Sequence, residues 1–126
     1  MSRKIKALVV DDSAFMRKSL SMMLESTGEI EVIAAARDGQ EGVELVKSKL
    51  PDIVTMDIEM PRMDGLTALE KIMKECPTPV LMISSLTTEG AKDTIKALEL
   101  GAVDFIPKEL SYVNVNIIKI KEDLIS

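Results

Sequence analysis

The middle of the chain reads Ile-Val-Thr-Met-Asp at residues 53 to 57, an unbroken apolar and β-branched run that ends in a carboxylate. Short runs of this kind are typical of strands that are buried on both faces of a parallel sheet. Folding does not need the acid at Asp57, because a carboxylate that ends a buried strand must lose its hydration or reach water at a cleft. The run therefore predicts a buried strand that carries a functional carboxylate.

Similar apolar runs recur on both sides of this strand. They are Ile5 to Val10, Glu31 to Ala35, Val80 to Ile83 and Val103 to Ile106. Segments with helical spacing follow each run, and their apolar positions form stripes of the kind that faces a core. These positions are Met16, Leu20, Met23 and Leu24; Val43, Val46 and Leu50; Leu66, Leu69 and Met73; Ala91, Ile95 and Leu98; and Val113, Ile117, Ile120 and Leu124. Five strands that alternate with five helices predict an α/β fold of three layers, with a parallel sheet between the helices.

Helix start and stop signals agree with this division. Ser13 is suited to cap the first helix, and Asp38 with Glu41 resembles a capping box for the second. Gly101 follows the fourth helix, where a glycine commonly ends a helix.

The composition limits both the organisation and the chemistry of the chain. Its 126 residues, 46% of them hydrophobic, suffice for one compact core, and we expect a single domain over residues 1–126. The chain has no histidine, which excludes a Ser-His-Asp hydrolase and a histidine-ligated zinc site within these residues. Cys76 is the only cysteine, so no internal disulfide can form.

Charge and hydropathy limit the partners and the compartment. The net charge of -5 argues against direct nucleic-acid binding, which normally needs clustered Lys and Arg. Two Phe and one Tyr are too few for a base-stacking platform. The apolar stretch from Ala7 to Val10 is too short for a signal or membrane segment. We therefore expect a cytoplasmic protein without membrane insertion.

Polar side chains stand at the carboxyl ends of the predicted strands. They are Asp11 and Asp12 after the first strand, Asp57 at the third, Ser84 at the fourth and Lys108 after the fifth. The carboxyl ends of parallel strands meet at one edge, where open α/β sheets place their functional crevice. Three carboxylates brought together there would repel each other unless a cation neutralised them.

A hard divalent cation is the simplest neutraliser. Mg²⁺ prefers oxygen ligands and often combines one or two carboxylates with phosphate oxygens. The hydroxyl of Ser84 and the ammonium of Lys108 could complete the surroundings of a phosphoryl group, one by a hydrogen bond and the other by charge. Taken singly, these residues have ordinary roles: Asp12 and Ser13 favour a helix N-terminus, and Ser84 and Lys108 suit a loop and a solvated surface. Only their joint placement indicates a phosphoryl site.

Three motifs carry a resemblance that covers nearly the whole chain. They are Leu-Val-Val-Asp-Asp-Ser at 8 to 13, Met-Asp-Ile-Glu-Met-Pro-Arg-Met-Asp-Gly at 56 to 65, and Phe-Ile-Pro-Lys at 105 to 108. With these motifs the chain resembles the response-regulator receiver family. Asp-Ser-Ala-Phe-Met-Arg at 12 to 17, Ser-Ser-Leu-Thr at 84 to 87 and Leu-Glu-Leu-Gly-Ala-Val-Asp-Phe-Ile at 98 to 106 are similar to the receivers of chemotaxis methylesterases. The resemblance implies a flavodoxin-like sheet with strand order 2-1-3-4-5.

The resemblance also implies a role for each site residue. Asp57 would be the phosphoacceptor, and Asp11, Asp12 and the backbone carbonyl of Glu59 would help to hold Mg²⁺. Ser84 would move toward the phosphoryl group, Phe105 would swing inward with that motion, and Lys108 would pair with the phosphoryl oxygens. The fourth helix, fifth strand and fifth helix would then form the output face, because phosphorylation biases two nearly balanced conformations. The donor would be a phosphohistidine on a histidine kinase of the chemotaxis type.

The chain departs from the family pattern at two positions. The family usually has Lys-Pro with a cis bond where this chain has Lys108-Glu109. A cis bond before a residue other than proline costs about 2.5–4 kcal/mol, so we expect a trans bond or a strained one. Phe105 has no hydroxyl and can report the switch only by packing. We also expect the Glu59 side chain to tune the lifetime of the phosphoryl group, with a solvated loop carboxylate as the alternative.

Other functions are open at this point. An aspartyl-phosphate-forming phosphatase also uses a strand-end Asp followed two residues later by an acid, as in Asp57 and Glu59, although 126 residues leave little room for its cap. A nucleotide or flavin module lacks its glycine-rich loop here, since the first glycine is Gly28. The methylesterase relatives carry a hydrolase domain after the receiver, so the chain is either a single-domain protein or part of such an esterase.

Overall fold

The computed structural model describes residues 3–84 and 88–107. The strands are β1 (Ile5–Val10), β2 (Ile30–Ala36), β3 (Ile53–Asp57), β4 (Val80–Ser84) and β5 (Asp104–Pro107). The helices within the described residues are α1 (Ala14–Glu25), α2 (Gly39–Lys49), α3 (Gly65–Glu75) and α4 (Thr88–Glu99). The predicted fifth helix, and the Lys108-Glu109 peptide bond, lie outside the described residues.

All five strands pair in parallel, in the order β2-β1-β3-β4-β5. This confirms the predicted fold class and strand order. The order reverses between β1 and β3, so the crevice expected at the carboxyl ends opens beside these two strands. Val10 on β1 lies opposite Met56 on β3, and the residues that follow them therefore leave neighbouring strands at the same level.

The side chains of the sheet form two cores, one on each face. On one face, Leu8, Val54 and Met82 pack with residues of α2, α3 and α4. On the other face, Val9, Ile53 and Leu81 pack with residues of α1. Strand residues with apolar neighbours on both faces of the sheet explain why the sequence shows unbroken apolar runs rather than alternation.

The predicted helix caps are present. The Ser13 hydroxyl accepts a hydrogen bond from the Met16 amide at 3.2 Å, and the Asp38 carboxylate accepts one from the Glu41 amide at 2.9 Å. The Glu41 side chain in turn accepts from the Arg37 amide at 2.9 Å, which completes a reciprocal pair like that of a capping box. Gly101 adopts φ 112°, the left-handed region expected after a helix.

Two apolar stripes differ from the prediction. Leu50 is the C-cap of α2 in a left-handed conformation and is 66% exposed, so it is not part of the buried face. On α4, the buried residues include Thr94 and Ala97, whereas Ile95 and Leu98 are 60% and 43% exposed. The helix meets the sheet through small residues, and its large apolar side chains point away from the core. Periodicity identifies a stripe but does not show what covers it.

The loop between β3 and α3 is tied to the start of α2. Arg62 adopts φ 65°, and its Nε donates to Asp38 Oδ2 at 2.9 Å. The Gly39 amide donates to the Met63 carbonyl at 3.0 Å, and a Cβ at Gly39 would collide with that oxygen. The Glu41 amide hydrogen bond is the main reason that the pKa of Asp38 lies below its usual range; burial opposes this shift and Arg62 adds to it.

A second close approach fixes α3 against the end of β3. The Gly65 amide donates to the Ile58 carbonyl at 2.7 Å. A Cβ at Gly65 would collide with the Asp57 carbonyl oxygen and lie 2.8 Å from Ile58 Cα. Only a residue without a side chain lets the helix start this close to Asp57.

We expect Asp38→Ala to lower the free energy of unfolding at neutral pH by about 1–2 kcal/mol, because α2 loses its cap. The lowered pKa makes this contribution full above the unfolded pKa of about 3.9, and it is lost as the pH falls through the folded pKa. Urea unfolding followed by circular dichroism, at pH 7 and below pH 3, measures the loss of stability and its dependence on pH. Asp38→Asn, which keeps a capping oxygen, is the control, and an equal loss at both pH values would contradict the assignment.

We expect Gly65→Ala to lower the free energy of unfolding by about 1–3 kcal/mol, the usual cost of overpacking, and to displace Asp57. Lys71→Ala, an exposed position on the same helix, should leave stability nearly unchanged. Thermal unfolding of the two variants beside the wild type compares these effects. Equal melting temperatures for Gly65→Ala and wild type would show that the backbone adjusts freely.

Candidate metal centre

Three carboxylates meet at the reversal point of the sheet. Asp11 and Asp12 follow β1 and Asp57 ends β3, and one carboxylate oxygen from each lies within 4.8 Å of the others. Asp11 is 0% exposed and Asp57 is 2% exposed, whereas Asp12 is open to solvent. The predicted convergence of these acids is therefore present in the structure.

The backbone around Asp11 is held at several points. Its amide donates to the Ala36 carbonyl on β2 at 3.0 Å, and its carbonyl accepts from Arg17 Nη1 at 2.8 Å. Its carboxylate Oδ1 accepts from the Ser13 amide at 2.9 Å. These contacts fix the direction of the carboxylate, so little conformational entropy remains to be lost when a ligand binds.

The donor set fits a hard divalent cation. All three donors are carboxylate oxygens, the ligands that Mg²⁺ and Ca²⁺ prefer. Two of them are buried, where charge repulsion is weakly screened, and the third faces water, through which an ion and a substrate can enter. A cation bound here by Asp11, Asp12 and Asp57 would offset their mutual repulsion.

Ser84 ends β4 and is 5% exposed. It lies opposite Pro107 on β5, one strand away from Asp57, which pairs with Ile83. Its hydroxyl lies 2.8 Å from the Thr94 hydroxyl on α4. The structure thus places Ser84 at the predicted edge of the sheet, where its hydroxyl is hydrogen-bonded to α4.

The remaining predicted site residues are Glu59, Phe105 and Lys108. The Glu59 side chain is exposed and is not part of the carboxylate cluster. Phe105 lies on β5 and is 36% exposed. Lys108 follows Pro107 in the sequence but lies outside the described residues.

Three residues of the site were not found from the sequence: Arg17, Gly65 and Thr94. Arg17 gives no local signal, because its contact to the Asp11 carbonyl depends on how α1 meets β1. Gly65 is the last residue of the motif at 56 to 65 and directly precedes the apolar stripe that begins at Leu66, which could have indicated its role. Thr94 could have been found from the small residues Gly90, Thr94 and Ala97, whose spacing marks one helix face.

No helix in the described part of the chain is both long and apolar enough to cross a membrane.

Comparison with known proteins gives a consistent result. The chain is 66% identical over 120 residues to protein-glutamate methylesterase/protein-glutamine glutaminase 2 of Nitratidesulfovibrio vulgaris, a match that covers 95% of this chain and 33% of the relative. The chain spans about a third of the length of the curated relatives that it matches.

Solved structures share the fold. The response regulator domain of CheB from Thermotoga maritima superposes with a TM-score of 0.81 and 48% identity, over 98% of this chain and 92% of that one. A chain of the CheX-CheY-BeF3-Mg complex from Borrelia burgdorferi superposes with a TM-score of 0.77 and 35% identity, over 96% and 87% of the two chains.

Residues 7–117 match the response regulator receiver domain. This stretch includes the three clustered carboxylates and almost all of the five-stranded sheet. The chain belongs to the response regulator receiver domain family.

Proposed function

We propose that this chain is a signalling receiver in which Asp57 accepts a phosphoryl group from a phosphohistidine of a histidine kinase, in a reaction that requires Mg²⁺. The observation that carries the proposal is the cluster of Asp11, Asp12 and Asp57 at the reversal point of the sheet, in a chain of the receiver family. The Borrelia burgdorferi complex contains BeF3 and Mg, which supports a phosphoryl and metal site on this fold.

The chemistry follows from the donor set. An oxygen of the Asp57 carboxylate attacks phosphorus, the bond from phosphorus to the donor nitrogen breaks, and its electron pair stays with the donor imidazole. Asp11 and Asp12 would hold the cation with Asp57, and the Glu59 backbone carbonyl would add a ligand. The bound cation would supply charge neutralisation at the phosphoryl oxygens. The attraction between the cation and the carboxylates would be strong, because Asp11 and Asp57 are buried where water screens charges poorly.

The remaining residues would respond to the new charge. Ser84 would donate a hydrogen bond to a phosphoryl oxygen and Lys108 would pair with another. Phe105, which is partly exposed, would swing inward as Ser84 moves. The exposed Glu59 carboxylate would influence the attack of water and thereby the lifetime of the phosphoryl group.

We further propose that the chain acts in chemotaxis as the receiver of a methylesterase-type protein. This rests on curated relatives named protein-glutamate methylesterase/protein-glutamine glutaminase. The proposed partners are a chemotaxis-type histidine kinase and a methylesterase domain as output, in the cytoplasm, where ATP-dependent kinases work. Residues 1–126 would form one domain without nucleic-acid binding of its own. The family match favours a receiver over the phosphatase alternative.

We expect the wild type to gain one phosphoryl group when incubated with acetyl phosphate and Mg²⁺, and Asp57→Asn to gain none. Intact-mass spectrometry measures the gain. Asp52→Asn is a matched control. Asp52 directly precedes the amino end of β3, far from Asp57 at its carboxyl end, so this variant should be phosphorylated like the wild type. Continuous release of phosphate from a small phosphate ester, without a phosphorylated protein, would support the phosphatase instead.

We expect Asp11→Asn to raise the melting temperature when a chelator is present, because one of three repelling carboxylates is removed. Mg²⁺ should stabilise the wild type by RT ln(1 + [Mg²⁺]/Kd), about 2.7 kcal/mol at a hundredfold excess over Kd, and the variant much less. Calorimetric melts with chelator and with Mg²⁺ give both values. A lower melting temperature for Asp11→Asn in chelator would contradict the repulsion argument.

A further inference from the structure

A buried pair of hydroxyls links β4 to α4. Ser84 and Thr94 are 5% and 6% exposed, and their hydroxyl oxygens lie 2.8 Å apart. The Thr94 hydroxyl also donates to the Gly90 carbonyl, one turn earlier in α4, at 2.8 Å. The link therefore joins the end of a central strand to the backbone of the helix.

The direction of the hydrogen bonds follows from the number of protons. A hydroxyl has one proton to donate and two lone pairs to accept. Because Thr94 gives its proton to the Gly90 carbonyl, Ser84 must be the donor between the two hydroxyls. The single hydroxyl proton of Ser84 is thus donated to the Thr94 hydroxyl on α4 and not to the carboxylates.

We propose that Thr94 is a positioning residue that holds Ser84 in the unphosphorylated arrangement, and that phosphorylation of Asp57 draws the Ser84 proton away from it. The inference rests on the proposed function, in which Ser84 donates to a phosphoryl oxygen. The same proton cannot serve both acceptors. Donation of the Ser84 proton to a phosphoryl oxygen and its donation to Thr94 are therefore mutually exclusive.

The exchange is energetically favourable for the phosphorylated form. A hydrogen bond to a charged phosphoryl oxygen is roughly twice as strong as one between neutral groups. When Ser84 leaves, Thr94 still donates to the Gly90 carbonyl, so no buried donor is left without an acceptor. The link can therefore break and form again at low cost.

The attachment of α4 to the sheet makes this link important. The buried face of the helix includes the small residues Gly90 and Ala97, while Ile95 and Leu98 face solvent. The buried side chains of α4 in the described part of the chain are small, so one buried hydrogen bond adds measurably to what apolar packing contributes. Losing the link would bias the position of α4, and with it the face that carries Ile95 and Leu98.

The alternative is a purely structural threonine. A helical Thr commonly bonds the carbonyl four residues earlier, and this satisfies its hydroxyl without any help from Ser84. In that case the proximity of Ser84 has no consequence for phosphorylation. The two explanations differ in one respect: whether the effect of a Thr94 substitution on phosphorylation depends on the presence of the Ser84 hydroxyl.

The test is a double-mutant cycle of Thr94→Val and Ser84→Ala, read as the steady-state phosphorylated fraction with acetyl phosphate and Mg²⁺. We expect Thr94→Val to raise the ratio of phosphorylated to free protein about fivefold, the factor for one ordinary hydrogen bond. In the Ser84→Ala background, Thr94→Val should have no effect. Thr94→Ser, which keeps the acceptor, should behave like the wild type.

Thr67→Val, the same change at an exposed position of α3, controls for the substitution itself. Circular dichroism checks that each variant is folded, and Thr94→Ala replaces Thr94→Val if the latter is not. A wild-type ratio for Thr94→Val, or an increase that persists unchanged in Ser84→Ala, would overturn the role of Thr94. Failure of the wild type to become phosphorylated would instead overturn the proposed function, which the inference requires.

Discussion

Repulsion among three carboxylates is the constraint on which the rest of the structure depends. Asp11 and Asp57 are buried side by side because parallel strands deliver their carboxyl ends to one edge. Carboxylates this close repel each other unless positive charge offsets them, and the surrounding sheet, which is packed on both faces, holds them together. The cluster therefore favours a ligand that brings positive charge.

The surroundings of the cluster are held by contacts from several of the described segments. Arg17 and the Ala36 carbonyl hold Asp11, and Gly65 brings α3 against the backbone of Asp57. The pair of Asp38 and Arg62 ties the following loop to α2. These contacts restrain the backbone around the three carboxylates. A charge added at this edge should therefore act on adjacent groups instead of being accommodated by local movement.

Apolar runs were sufficient to predict a parallel sheet and the meeting of the three acids at its edge, whereas the strand order followed from the family resemblance. The sequence was not sufficient for α4, where Ile95 and Leu98 form a stripe that faces solvent. Periodicity reports which side chains share a face, but coverage depends on packing with distant elements. Thr94 was missed for the same reason, since its partner Ser84 is ten residues away and belongs to a different element. The role predicted for Lys108 lies beyond the described residues.

The small buried side chains of α4 also affect how cooperatively the domain unfolds. The buried side chains of α4 in the described part of the chain, Thr94 and Ala97, are small, so we expect its amide hydrogens to exchange through local openings below the free energy of global unfolding. By contrast α3 packs Leu69 and Ile72 into the core and should open only with the sheet. We therefore expect α4 to be held less firmly than α3 and to rearrange while α3 and the sheet stay folded.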